Sequence, residues 1–290
     1  MRHSVIINGT DIARSYGIKL TRGSYANLIQ WPSLKAVSGN DWQEHNGFEP
    51  DLSNPVLDAK AFSLRFILPT DNSSVESFYR FLGSTPAGIY NFPDIDYSTT
   101  LRLLSMPSLD YGREFHIIEC QFSEDTPPSA DSYLPPTSSL PNKGSVYIDG
   151  TPISQYGVRV LKGSIGSCHR QPDVKPLLSR NISTVPGIIY DNDGDVTYKR
   201  RDIAIVCQIE DTISAFWRNY NALLFDLVKK NENADNPTLK GARTISGNIL
   251  PGTYKCWYNS QKMIDLSFDG SSIWVKFELV LTVFDYGDGS

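Results

Sequence analysis

Three clusters in the 290-residue chain carry side chains able to do chemistry, and each stops short of a complete site. Asp191, Asp193 and Asp195 alternate in Asp191-Asn192-Asp193-Gly194-Asp195, and Asp202 follows at the twelfth position, a run of hard oxygen donors in the style of a calcium loop. The sixth position is Val196 rather than the glycine that such a loop needs, and no glutamate supplies the bidentate ligand. Asp, Asn and Gly equally make a solvated turn between strands, which is the expectation here, with no metal bound. Cys168 and His169 pair a thiol with a base, but neighbours on a strand point to opposite faces and no third partner is evident, so an ordinary loop is expected. His45 stands near Glu44, Glu49 and Asp51 in the polar segment from Ser38 to Pro55; two carboxylates could serve glycoside hydrolysis, yet nothing in the sequence fixes their separation.

The common local signatures are absent: there is no GxSxG, HExxH, GxGxxG or GxxxxGK[ST]. The expectation is therefore a chain that is not an enzyme and needs no cofactor. Trp31, Trp42, Tyr90, Phe92, Tyr254, Trp257 and Tyr258 supply aromatic surface outside the helices. Flat rings of this kind bind sugars, fill β cores or form protein interfaces, and the interface reading is preferred.

The elements that must position these residues are organised by an internal repeat. Ser4-Val5-Ile6-Ile7-Asn8-Gly9-Thr10-Asp11-Ile12 recurs as Ser145-Val146-Tyr147-Ile148-Asp149-Gly150-Thr151-Pro152-Ile153, and Tyr16-Gly17 through Gly23-Ser24 recurs as Tyr156-Gly157 through Gly163-Ser164. Ten of the twenty positions from 145 to 164 are identical to their counterparts, where chance gives about one or two. Pro32 and Lys35 recur as Pro172 and Lys175. Phe62, Leu64, Phe66 and Leu68 alternate as Ile203, Ile205, Cys207 and Ile209 do, and His116, Ile118, Cys120 and Phe122 as Val275, Phe277, Leu279 and Leu281 do, which reads as strands with period two. Glu119 and Glu278 match on the opposite face of the last pair.

Asn8-Gly9 and Asp149-Gly150 between apolar runs predict two-residue hairpins. The best helix is 212–230, with Ile213, Phe216, Trp217, Tyr220, Leu223, Leu224 and Leu227 on one face; a shorter one carries Val75, Phe78, Tyr79 and Leu82 behind a capping box of Ser73 and Glu76. The fold class is thus mainly β, a sandwich or part-barrel with one flanking helix, in tandem: 1–123, a Pro- and Ser-rich linker at 124–144 read as a stiff tether, and 145–290.

Composition narrows the partners. Lys and Arg number 27 against 32 Asp and Glu, a net charge of −5 with no basic block, so tight non-specific nucleic-acid binding is disfavoured. The apolar runs are of strand length and the opening residues lack a signal-peptide stretch, which gives the expectation of a protein made in a cytosol with no membrane partner. Four cysteines with no CxxC pair make neither a disulfide scaffold nor a zinc module.

The order of these features, the repeated "IxGTxI" and "YGxxxxxGS" text, the Pro-x-x-Lys step, a period-2 strand, a helix with a Phe-aromatic-Arg step and a closing strand, resembles the tail-tube fold of bacteriophage tail proteins. That family includes tail tube, distal tail and baseplate hub proteins. The resemblance implies a structural virion protein whose strands join those of neighbouring copies around a lumen, with DNA passing through and not specifically bound. Two modules in one chain imply a homotrimeric ring with pseudo-sixfold symmetry, alongside other tail proteins. Within that frame Pro32, Lys35, Pro172 and Lys175 are subunit-interface candidates, and charge reversal at the two lysines is expected to weaken assembly without unfolding the monomer. Glu119 and Glu278 are candidates for the lumen wall. A two-module β protein binding carbohydrate or a cell surface is the alternative, and a hydrolase using the acidic loop a third reading.

Overall fold

Each half opens on a hairpin whose turn demands positive φ. In the computed structural model, which describes residues 3–129, 133–177, 179–190 and 195–286, Asn8 and Gly9 take φ of +48° and +83°, and Asp149 and Gly150 take +48° and +78°. Two consecutive left-handed residues match the twist of the flanking strands, and Asn, Asp and Gly tolerate them at least cost. The first hairpin joins β1 (Ile6–Ile7) to β2 (Thr10–Asp11), and Asp11 then caps α1 (Ile12–Tyr16) by accepting from the backbone N–H of Ala13 and Arg14. Ser4 Oγ also donates to Asp11, and these donors hold its carboxyl below its ordinary value. A group depressed in the folded state stabilises above its unfolded pKa and ceases to do so as pH falls. Asp11→Ala is expected to cost about 1 kcal/mol at neutral pH, and the deficit should shrink in acid denaturant titrations. The second half has Pro152 at this place, makes no side-chain cap, and forms only a 3₁₀ turn.

The chain continues through β3 (Lys19–Leu20), α2 (Ser24–Ile29), a small hairpin of β4 (Gly39–Asn40) and β5 (Glu49–Pro50), β6 (Lys60–Leu68), α3 (Asn72–Ser84), β7 (Ala87–Phe92), β8 (Tyr97–Tyr111) and β9 (His116–Glu124). Alternation puts Leu64, Phe66, Leu68, Ile118, Cys120 and Phe122 on one buried face, with Phe78 and Leu82 of α3 against it. The sheet is antiparallel, in the order β2-β1-β7-β8-β9-β6-β3. The second half repeats the sequence of elements as β10 (Tyr147–Ile148), β11 (Thr151–Pro152), β12 (Val158–Val160), α4 (Ile165–His169), β13 (Ser179–Arg180), β14 (Ile189–Tyr190), β15 (Arg201–Thr212), α5 (Ile213–Val228), β16 (Arg243–Ser246), β17 (Tyr254–Phe268) and β18 (Ser272–Asp285). Its sheet runs β11-β10-β16-β17-β18-β15-β12, the same order. The registers coincide too: Phe66 lies opposite Ile118 and Leu20, and Cys207 opposite Phe277 and Val160. The molecule is mainly β, of the sandwich type, and one continuous apolar core runs through both halves.

Three local expectations are corrected. The cap of α3 is Asp71, which accepts from Ser74 N–H and Ser73 Oγ, because an Asp two residues ahead of Ser73 outcompetes the capping box. Each half carries short helical turns besides its main helix. Finally, the Pro-rich segment is not a free tether: Thr137 N–H donates to Asn219, Arg218 to the Pro135 carbonyl and Tyr133 to Asp226, so residues 133–137 lie along α5, and β9 itself runs on through Glu124. Prolines keep that strip extended, and α5 supplies the polar groups that hold it.

Candidate assembly interface

Strand alternation sends every second side chain away from the core, and the candidate residues fall on both sides of that division. Glu119 and Glu278 stand at the same place in their sheets, both on the face away from the core: Glu119 lies opposite Arg65 in β6 and Glu278 opposite Val206 in β15. Glu119 is 3.5 Å from the Arg65 guanidinium, and Lys262 of β17 lies opposite Glu278, so each acid has a cation across the ladder. Lys35 is exposed and Pro172 half-buried. Pro32 and Lys175 are buried within the chain, contrary to their reading as subunit contacts. The Pro32 carbonyl accepts from Tyr258 Oη at 2.8 Å. Lys175 Nζ donates to the carbonyls of Trp42 and His45 and reaches Asp41 Oδ1 at 2.7 Å. Its charge is spent on the first half of its own chain.

The described residues of the three chemical clusters do not converge on a site. Asp195 is exposed, Asp191 and Asp193 lie outside the described residues, and no group of His, Cys, Asp or Glu among the described residues could hold a metal. Cys168 and His169 end helix α4 rather than a loop; burial pushes the Cys168 thiol up, away from the nucleophilic thiolate, and His169 is exposed. In the 38–55 segment Glu49 accepts from the Trp42 indole N–H at 2.9 Å, and Ser53 holds the Asp51 carboxyl below its ordinary value, the reverse of what a general acid needs. A cleft of about 430 Å³ beside the 140–146 strip is lined by Leu140, Val146, Ile153, Val158 and Val160, with neither an acid nor a histidine in its wall. Of the seven aromatics offered as a binding surface, only Trp42 is exposed. The others fill the core because strand alternation and the joint between halves turn them inward.

That joint is where sequence-distant residues converge. The Trp31 ring lies 4.4 Å from that of Tyr220 on α5 and 5.8 Å from Phe277 on β18, and the Trp31 backbone N–H donates to Gln261 Oε1 of β17. Tyr25 of α2 meets Phe268 at 4.8 Å, and Tyr97 stacks on Trp217 at 4.8 Å. The Leu34 N–H donates to the Asn259 carbonyl, at a bulge in β17. The β4–β5 arm lies across the second half: Gly47 N–H donates to Tyr198 O, Phe48 N–H to Phe284 O, and Thr197 Oγ1 to Gln43 O. Gly47 has φ of +76°, and a Cβ there would collide with the Phe284 carbonyl. Gly47→Ala is accordingly expected to unseat the arm and lower the melting temperature, measurable by calorimetry, by the equivalent of about 1–3 kcal/mol.

Two polar devices escaped the sequence. Lys60 donates to the carbonyls of Leu28 and Gln30 at the end of α2, and Arg201 donates to those of Ser167, Cys168 and Arg170 at the end of α4. Both cations satisfy carbonyls that a short helix leaves open. Lys60 also pairs with buried Glu124 at 2.9 Å, which accepts from Tyr97 and Thr99; burial lowers the lysine's pKa against the opposing pull of Glu124. A basic residue opening the strand after the arm, at 60 and at 201, was the available signal.

No family model and no curated protein matches the chain. Among solved structures it is similar to the crystal structure of the SPP1 Dit (gp 19.1) protein, described as a paradigm of the hub adsorption apparatus in phages infecting Gram-positive bacteria. The two share 17% identity over 47% of this chain and 49% of that one, about half the length of each, with a TM-score of 0.27. The likeness is thus to half of a phage structural protein, at a TM-score that does not by itself establish a shared fold.

Proposed function

We propose that the chain is a structural, non-enzymatic protein of a phage or prophage tail, acting as a tube, distal-tail or hub subunit that closes with copies of itself into a ring around a DNA-conducting lumen. On this reading it is a tandem duplication of one β module, and it resides in the virion after synthesis in the host cytoplasm. The observation that carries the reading is the head-to-tail joint between two sheets of one strand order. The first half contributes α2, Trp31 and the arm; the second contributes β17, α5 and the Lys175 region. Different surfaces on like modules meet, so the contact does not complete itself within one chain. Heterologous contacts of this kind either close as rings or run on as filaments. Six modules, or three chains, would satisfy the pseudo-sixfold closure implied by the resemblance. The net charge of −5 suits a channel that DNA must not adhere to.

Mass measurement and negative-stain imaging of the purified protein test this. Rings or a species of three times the chain mass are expected, with Glu119 and Glu278 on the channel wall; a persistent monomer, or carboxylates on the outer wall of an assembled ring, would count against the respective parts. The carbohydrate-binding reading is weakened because its aromatics are buried.

A further inference from the structure

The second half carries its own copy of the arm, and among the described residues nothing covers that copy. Residues 39–50 and 179–190 pair alike, Gly39 with Pro50 and Asn40 with Glu49 in one, Ser179 with Tyr190 and Arg180 with Ile189 in the other. Both turn on a glycine at the same position, Gly47 at φ +76° and Gly187 at +86°. The difference lies in the surroundings. Gly47 presses against the Phe284 backbone, whereas a Cβ at Gly187 would meet nothing within 4 Å. Where Phe48 is half-buried and packed against Trp257 and Phe284, its counterpart Ile188 is 60% exposed, and Val185, Ile189 and Tyr190 are exposed beside it. An apolar strip of this kind on one small hairpin marks an interaction site.

The equivalent seat on the first half is open as well. The bridge of Leu34 with Leu57 is repeated by Val174 with Tyr198. Leu34 reaches forward to Asn259 at the β17 bulge. Its counterpart Val174 is 52% exposed, and Leu104, the residue at the corresponding bulge in β8, is 45% exposed. The register fixes this equivalence: Tyr258 and Ser260 flank Asn259 opposite Leu281 and Val280, as Leu103 and Ser105 flank Leu104 opposite Phe122 and Gln121. One residue on from each bridge stands a lysine. Lys175 clamps the arm of the first half, while Lys35, whose backbone N–H donates to Val56 as that of Lys175 does to Thr197, has its side chain exposed.

We propose that Val174 and the 179–190 arm of one copy dock on the first half of the next copy, Val174 against Leu104 and the arm over Lys35, so that the joint between copies repeats the joint within a chain. The seat is more polar than its counterpart: Arg102 and Asp125, an ion pair, stand where the second half has Trp257 and Phe284. The bulge contact and the Lys35 clamp therefore fix the register, and the apolar arm adds area.

This inference rests on the ring reading, and a disulfide test separates the two. Leu34 N and Asn259 O are 2.9 Å apart, which brings such backbones within disulfide range. Val174→Cys and Leu104→Cys in one full-length chain place thiols at the two exposed counterparts, and the four native cysteines are buried. After mild oxidation most of the double variant should migrate on non-reducing gels at two and three times the chain mass, while each single variant stays at the chain mass. Rings of wild-type size without covalent linkage, or a link confined to one chain, would overturn this contact and leave the ring reading standing. A wild-type chain that stays monomeric, with no cross-link in the double variant, would overturn both.

Discussion

Trp31→Ala should cost about 3–5 kcal/mol and should loosen both halves together in one thermal or denaturant transition. Trp31 belongs to the first half by sequence, yet its ring lies on Tyr220, Tyr258 and Phe277 of the second, and it is almost fully buried there. Removing an indole from that position opens a cavity walled by α5, β17 and β18, which close packing prevents from collapsing. Two neighbouring contacts weaken with it: the Tyr220 hydroxyl donates to the Ile29 carbonyl and the Tyr258 hydroxyl to that of Pro32, both on the short stretch that carries Trp31. A shared core predicts that fluorescence and circular dichroism report one midpoint. Two separated transitions, with the second half unmoved by the substitution, would show that the halves are energetically independent despite their contact. The equivalent position in the second half is Gln171, exposed, where alanine is expected to change stability by less than about 0.5 kcal/mol.

Much of the architecture is legible in the sequence because it is written in short-range rules. Asn8-Gly9 and Asp149-Gly150 specify their turns, period-2 alternation specifies which faces of β6, β9, β15 and β18 are buried, and the apolar stripe from Ile213 to Leu227 specifies α5. Ile118 and Phe277, 159 positions apart, correspond in the repeat, and the pairing registers place them alike. The candidate site was less legible for a reason of the same physics. Whether Lys175 is a solvated charge or a buried clamp depends on an arm more than a hundred residues away, and the arm itself reads only as polar turn text. Lys35 and Lys175 stand at the same Pro-x-x-Lys step of the repeat and have opposite burial. Residues 39–50 and 179–190 likewise share one conformation, and only the surface that each meets tells Gly47 from Gly187. Lys60 with Glu124 is a long-range pairing of the same kind, invisible to any window along the chain.

Charge reversal at the two lysines should therefore give two different outcomes rather than one. Lys175→Glu places a carboxylate among the carbonyls of Trp42 and His45 and beside Asp41, where the native ammonium satisfies all three. Acceptors left without a donor in a water-poor site cost roughly 1–3 kcal/mol each, whereas the exposed Asp41 side chain is solvated once its partner is gone; the two carbonyls set the expected destabilisation at about 3–5 kcal/mol, with release of the arm. Lys175→Met separates the two contributions, since it removes the donor without adding a like charge, and should recover part of that loss. Lys35→Glu is expected to leave the melting temperature of the monomer within about 1 °C, since solvent-exposed substitutions sit near zero, and to abolish self-association measured by analytical ultracentrifugation. The asymmetry follows from occupancy: Lys175 already holds an arm, whereas on the proposed docking Lys35 holds one only when another copy arrives. A Lys35→Glu chain that assembles as the wild type does would remove Lys35 from the contact, and a Lys175→Glu chain of unchanged stability would mean that the arm does not depend on its clamp.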